Sequence, residues 1–295
     1  FSTSMTRDEV LANMAAGKAL QNESTIGAKD NMLSFFGRVN YTMMYKYLLT
    51  VTMRADGSSK FASDNRWGYF PSAAFAWRMS DEAFMENTQD WLSNLKLRLS
   101  YGTAGNNRID AGLIYSTYTM SGATDRAPYF GENLTTMLMR ADNISNPDLK
   151  WETTITRNFG IDYGFFNNKL SGAIDLYWNT TKDLLMKAEV PFNSGYGYQM
   201  QNFGKTSNKG VEFSVSAVLV DTKNFGLDFN ANISYNRSRI DELNQENPWQ
   251  SSNWAGSTIQ KYEDFKVEEG GRLGEVWGYK TNGYYTVYNE VTNPN

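Results

Sequence analysis

The chain has 295 residues, a net charge of −4, no cysteine and no histidine. Without them there are no disulfides, thiolate metal sites, thiol nucleophiles or imidazole bases, so an enzyme is not expected, and neither is a metal or organic cofactor. A mildly acidic chain without a long basic run gives nucleic acid no electrostatic footing, and no window nears the roughly 18 consecutive apolar residues of a membrane helix.

Aromatics are abundant, with 8 Trp, 18 Tyr and 17 Phe making 15% of the chain. From the start, Thr6-Arg7-Asp8-Glu9 ahead of Val10, Leu11, Met14 and Leu20 has a capping-type opening and helical spacing, which predicts a short helix. Leu33 to Tyr45 then alternates apolar and polar residues, and after a tight connection at Tyr45-Lys46 the alternation resumes with Tyr47, Leu49, Val51 and Met53. A crest rich in Gly, Ser, Asp and Asn separates that run from Ala73, Phe75 and Trp77, so Arg54 to Trp77 reads as a hairpin tip. Ser80, followed by Asp81 and Glu82, predicts an N-capped helical turn within 79–93. Leu95, Leu97, Leu99 and Tyr101 mark the next strand, and Gly102 to Lys150 reads as a large loop with local pairing near Ile114 to Thr119.

Trp151 to Phe165 and Leu170 to Thr181 are strands joined at Phe166-Asn167-Asn168-Lys169, followed by a second long loop from Lys182 to Lys209. Val211 to Leu219 and Phe225 to Asn236 form another hairpin across Asp221-Thr222-Lys223-Asn224, with the cleanest alternation in the chain. A third long loop, Arg237 to Glu275, leads to a last strand near Val276 to Val287, making nine strand-like runs. Short connections fall at one end of these strands and long ones at the other, which describes an outer-membrane β-barrel better than a sandwich. An odd strand set with open edges in lipid predicts further strands elsewhere, and Phe1, the lack of a signal segment and the ending Asn293-Pro294-Asn295 read as an internal stretch of a longer chain.

The motifs RADGSSKF (54–61) with NRWGYFPS (65–72), WLSNLKLRLSYGTAGN from Trp91, NPDLKWETT from Asn146, FFNNKLSG from Phe165 and NKGVE from Asn208 resemble the SusC/RagA family of TonB-dependent outer-membrane transporters along nearly the whole chain. The resemblance implies an all-β fold: residues 1–295 as part of a transmembrane antiparallel barrel of about 22 strands, with short periplasmic turns, long extracellular loops and an internal plug. It further implies import of glycans, oligosaccharides or peptides with a SusD-like surface lipoprotein, energised by the TonB complex, in contact with outer-membrane lipid. A dimer of transporter–lipoprotein pairs is the assembly it allows for. Plug, TonB box and remaining strands are not among these residues.

Arg38, Arg54, Arg78, Lys96 and Arg98 fall on the polar face of four consecutive strands, where a barrel would present them to the lumen. They read as an anion-attracting path or, more in keeping with the needs of lumen charges, as partners of plug carboxylates. Asp162, Asp175, Glu212 and Asp228 share that face on later strands, while Arg157 falls on the apolar face and is expected near an interface. Tyr129, Phe130, Tyr196, Tyr198, Trp249, Trp254 and Tyr262 sit in long loops, where flat rings with polar rims suit sugars and equally suit loop packing. Trp67, Tyr69, Trp77, Trp151 and Trp178 are expected in an interfacial girdle. The favoured reading is a glycan importer; a peptide importer of the same family, a secreted β-rich glycan-binding or adhesin domain, and a glycosidase with paired carboxylates are the alternatives. A continuous apolar face exposed to lipid, rather than buried between two sheets, separates barrel from sandwich.

Overall fold

The computed structural model describes residues 30–115, 143–243 (Phe192 by its backbone) and 265–276, with backbone alone for short strands at 2–4, 18–21, 118–120, 129–130, 133–134, 138–140 and 249–250. The principal strands are β1 (Met32–Met43), β2 (Tyr47–Ser58), β3 (Trp67–Arg78), β4 (Leu92–Asn106), β5 (Glu152–Phe165), β6 (Leu170–Lys182), β7 (Leu185–Glu189), β8 (Tyr198–Asn202), β9 (Lys205–Thr222) and β10 (Phe225–Glu242). Eight of them form one antiparallel sheet in the order β10-β9-β6-β5-β4-β3-β2-β1, so every neighbour in space is a neighbour in the meander. The sheet is open, since β1 and β10 are not paired with each other among the described residues.

Period-two patterning sets the two faces, because alternate side chains project to opposite sides. One rung runs Tyr47, Trp77, Leu97, Ile161, Ile174, Phe213, Ile233, and the next runs Tyr41, Leu49, Phe75, Leu99, Phe159, Leu176, Val211, Tyr235. Many of these side chains are exposed, Ile233 to 69%, and no second sheet covers them among the described residues. An apolar face of this extent is stable only against lipid, which decides for the barrel over the sandwich.

Connections segregate as expected, with tight turns after β1, β5 and β9 at one end. Also at that end, β3 and β4 are joined by two 3-10 segments, Met79–Asp81 and Ala83–Thr88. Ser80 does not cap them: Arg78 already occupies the cap position at the strand end, and the Ser80 hydroxyl bonds Asp81 Oδ1 at 3.1 Å. At the opposite end the second long loop is partly ordered, its β7–β8 hairpin extended by a parallel pairing of Asn143–Ile144 with β8. Beneath it lies the main apolar core, where Phe61, Phe70, Ile109, Leu113, Ile114, Leu149 and Trp151 are buried and Leu185 and Met200 pack against them. Trp151 therefore does not join the expected girdle: it is 6% exposed, donates Nε1 to the Arg66 carbonyl at 3.0 Å and touches the rings of Phe61 and Phe70.

The helix expected from Thr6 falls largely outside the described residues; Lys18–Gln21, at its end, is a strand paired with Ser2–Ser4. Tyr118–Met120 pairs with Leu138–Arg140 inside the first long loop. The last expected strand is described only at Glu275–Val276, which pairs with Phe265–Lys266; the rest of it lies outside the described residues.

Candidate functional site

On the polar face the basic and acidic residues of successive strands interlock. Lys96 Nζ lies 3.0 Å from Asp162 Oδ2, and the Arg98 guanidinium bridges Asp162 at 2.8 Å and Asp175 at 3.0 Å. Gly160 stands between Arg98 and Asp175 in register and makes this possible: a Cβ there would lie 2.6 Å from Asp175 Oδ1 and 2.7 Å from Arg98 Cζ. Arg54 pairs with Asp56 at 2.7 Å and Arg78 with Asp81 at 3.7 Å. Arg38 differs, since its Nε donates to Thr52 Oγ1 at 3.2 Å and no carboxylate reaches it among the described residues. Four of the five expected cations are thus neutralised within the sheet and its adjoining turn, and one is not.

At the long-connection end the loop sheet is fastened by amides in addition to the packing of Leu185 and Met200 on the core. Asn202 donates to the carbonyls of Lys150 (2.8 Å) and Asp183 (2.9 Å) and accepts from Lys150 N at 2.8 Å. Asn146 Nδ2 donates to the Met200 carbonyl at 2.8 Å and Gln199 Nε2 to that of Ser145 at 3.1 Å. Amide side chains suit this role because each offers both a donor and an acceptor to backbone that β pairing leaves unsatisfied.

Tyr198 projects from β8 into a cleft of about 220 Å³ shared with Lys60, Arg108, Asp110 and Lys187, and Lys187 Nζ stands 4.3 Å from its ring centroid. Tyr196 is half-buried two residues earlier and lines none of this cleft. Trp254 and Tyr262 lie outside the described residues, as do the side chains of Tyr129, Phe130 and Trp249, whose backbones belong to the short pairs Tyr129–Phe130 with Asn133–Leu134 and Trp249–Gln250 with Phe265–Lys266. The four charged neighbours of Tyr198 escaped the sequence reading because three separate connections deliver them, and no spacing along the chain signals it.

Among known proteins, the family model described as TonB dependent receptor-like, beta-barrel matches residues 6–295. The chain is 36% identical over 278 residues to the TonB-dependent receptor SusC of Bacteroides thetaiotaomicron, covering 94% of this chain and 27% of that protein. It is 38% identical over 215 residues to the TonB-dependent receptor P26 of Formosa agariphila, covering 71% of this chain and 20% of that one. The solved structure of the RagAB peptide transporter superposes with a TM-score of 0.66 at 33% identity, over 80% of this chain and 25% of that chain. The chain spans about a quarter of the length of these relatives. With an open eight-stranded antiparallel sheet, an uncovered apolar face and this likeness along its length, the chain belongs to the SusC/RagA family of TonB-dependent outer-membrane transporters and forms part of the β-barrel wall.

Proposed function

We propose that the protein imports a bulky nutrient, an oligosaccharide, across the outer membrane, with TonB supplying the energy and a SusD-like lipoprotein closing the mouth. The observation that carries this reading is the ordered loop sheet at the long-connection end, which holds Tyr198 beside a cleft rich in hydrogen-bonding groups. A ring covers the apolar face of a pyranose while charged side chains replace the water lost from its hydroxyls. Peptide import is a second reading, favoured by the likeness to a transporter named for peptides and by two cations of the cleft, Arg108 and Lys187, able to hold a carboxylate, Lys60 being already paired with Asp30 at 3.3 Å. In either case the polar face lines the lumen, and Arg38 is the residue assigned to a plug carboxylate because Arg54, Arg78, Lys96 and Arg98 already have partners.

The test is uptake and equilibrium binding by the intact transporter carrying Tyr198→Ala. Loss of the ring is expected to weaken oligosaccharide binding by about 1–3 kcal/mol, roughly 5- to 150-fold. Weakened peptide binding with oligosaccharides not bound at all moves the assignment to the second reading. Unchanged affinity for both classes leaves Tyr198 as a partner for Lys187 alone.

A further inference from the structure

The apolar face carries one rung that does not belong in hydrocarbon. In register it reads Val39, Val51, Ala73, Tyr101, Arg157, Trp178, Lys209, Arg237, so three cations share this rung on the lipid side of β5, β9 and β10, with Trp178 of β6 between the first and second. All three are exposed. The rung lies toward the long-connection end of each of these strands, above Phe159, Leu176, Val211 and Tyr235. The Arg157 guanidinium is held between two rings, 5.9 Å from the centroid of Tyr101 and 5.6 Å from that of Trp178, with Thr180 Oγ1 at 3.4 Å. Farther along the same strands Arg239 meets Asp241 at 3.8 Å and Lys205 meets Glu242 at 3.2 Å. Arg157, Lys209 and Arg237 have no carboxylate partner among the described residues.

Immediately below Arg157 the apolar surface is grooved. Ala73 is small where its neighbours are large, and the gap, bordered by Phe75, Leu99, Phe159 and Leu176, is a shallow open trough of about 560 Å³ with Arg157 at its upper end. An apolar trough that ends in cations is complementary to an amphiphile of opposite charge, and the volume is that of a ligand cleft. A lone Arg on the lipid face is destabilising by about 2–4 kcal/mol at the midplane and close to neutral at the interface. Two arginines and a lysine aligned there without a carboxylate partner among the described residues leave positive charge that an anion at that level would complement. The short turns face the periplasm in barrels of this kind, so the leaflet beside this rung is the outer one.

We propose that this rung and groove form a binding site for a phosphorylated, acylated glycolipid of the outer leaflet. One acyl chain lies in the groove over Ala73, and the phosphate is held by Arg157, Lys209 and Arg237. The Arg157 guanidinium, pre-oriented by stacking, and that of Arg237 can hold phosphate through paired N–H donors, and Lys209 adds a point charge.

The test uses the intact transporter purified in detergent and titrated with lipid A, with its dephosphorylated form and inorganic phosphate as separate probes, by native mass spectrometry and thermal shift. Wild type is expected to retain and be stabilised by lipid A and by neither control. Lys209→Gln/Arg237→Gln, which leaves the stacked Arg157 in place, is expected to bind at least about tenfold more weakly, roughly 1.4 kcal/mol. Ala73→Trp fills the groove while leaving all three cations in the chain and is expected to reduce affinity for the same lipid. Equal lipid retention by wild type and both variants overturns the proposal. So does an equal response to inorganic phosphate, because the groove then plays no part. Loss of self-association in the double variant with lipid binding intact also overturns it, assigning the rung to a second copy of the chain.

Discussion

At the scale of single residues, parity decides what each side chain meets, and two adjacent positions on β10 test it. Ile233 pairs with Phe213 on the apolar face and Asn232 with Ser214 on the polar one. Lysine at 233 is expected to destabilise the assembled barrel by about 2–4 kcal/mol, while lysine at 232 leaves assembly near wild type, read by heat-modifiability on gels. Comparable yields for the two would remove lipid from the face of Ile233. Gly160 offers a second test, since a side chain there must displace Arg98 from Asp175. Gly160→Val is expected to lower stability by about 1–3 kcal/mol in thermal unfolding even though β-branched residues favour strands. Alternation along the chain placed the five polar-face cations together, but it could not pair them: Arg98 and Asp162 are separated by 64 positions, and only the β4–β5 register brings them into contact. Ser58 shows the converse failure, as its place in a Gly/Ser crest suggests exposure, yet it is fully buried and its Oγ accepts from Asn107 Nδ2 at 3.2 Å.

At the scale of elements, the turns carry chemistry that patterning alone does not reveal. The β1–β2 turn places Met44 and Tyr45 at φ of 52° and 59°, a left-handed pair closed by Lys46 N to the Met43 carbonyl at 3.1 Å. Met43 pairs with Tyr47, so the connection has three residues; Asn or Gly tolerates the left-handed region at its first two, where another residue with a Cβ pays about 1–2 kcal/mol. Met44→Asn/Tyr45→Gly is therefore expected to raise stability by about 1 kcal/mol or more, provided the exposed Met44 and Tyr45 side chains meet nothing else; an unchanged or lower melting temperature would mean that they do. The connection after β3 is organised by Glu82, which accepts from Tyr47 OH at 2.7 Å, Trp77 Nε1 at 3.0 Å and Lys46 Nζ at 3.2 Å. The Tyr47 hydroxyl above all, then the Trp77 indole, hold its carboxyl below the ordinary carboxylate range, against the opposing effect of burial and with Lys46 assisting. A lowered folded value means the stabilisation is complete above the unfolded carboxylate pKa of about 4.3 and is lost as pH falls through the lower folded value. Glu82→Gln should thus be less stable than wild type at neutral pH, with the gap closing under acid; a gap independent of pH would assign the effect to geometry. Strands were legible because apolar and polar residues alternate along each of them over about a dozen positions. The small loop sheet was not, since β7 and β8 have 5 residues each and take their place from Asn202 and Asn146, contacts with no period.

At the scale of the whole molecule, the decisive property is a direction: one end of the sheet is closed by tight turns and the other opens into structured connections containing Tyr198. Which end faces the medium governs both the proposed nutrient cleft and the proposed lipid site, because the Arg157 rung belongs to the outer leaflet only if the long connections are extracellular. The sequence resemblance carries that orientation, and thiol accessibility examines it independently, since the chain has no cysteine of its own. Ser63 and Asn193 are exposed in the connections after β2 and β7, and Lys223 is exposed in the turn after β9. A cysteine at 63 or 193 is expected to react with a membrane-impermeant maleimide on intact cells, most clearly in a strain lacking the lipoprotein proposed above as the lid, whose closure over the mouth would shield both. A cysteine at 223 is expected to react only after the outer membrane is breached, and that late reaction shows that the thiol is chemically competent. If 223 labels on intact cells as fast as 63, the barrel is not oriented in this way. The cleft at Tyr198 would then face the periplasm, and Arg157, Lys209 and Arg237 would lie against the inner leaflet, where a different anionic lipid would have to answer their charge.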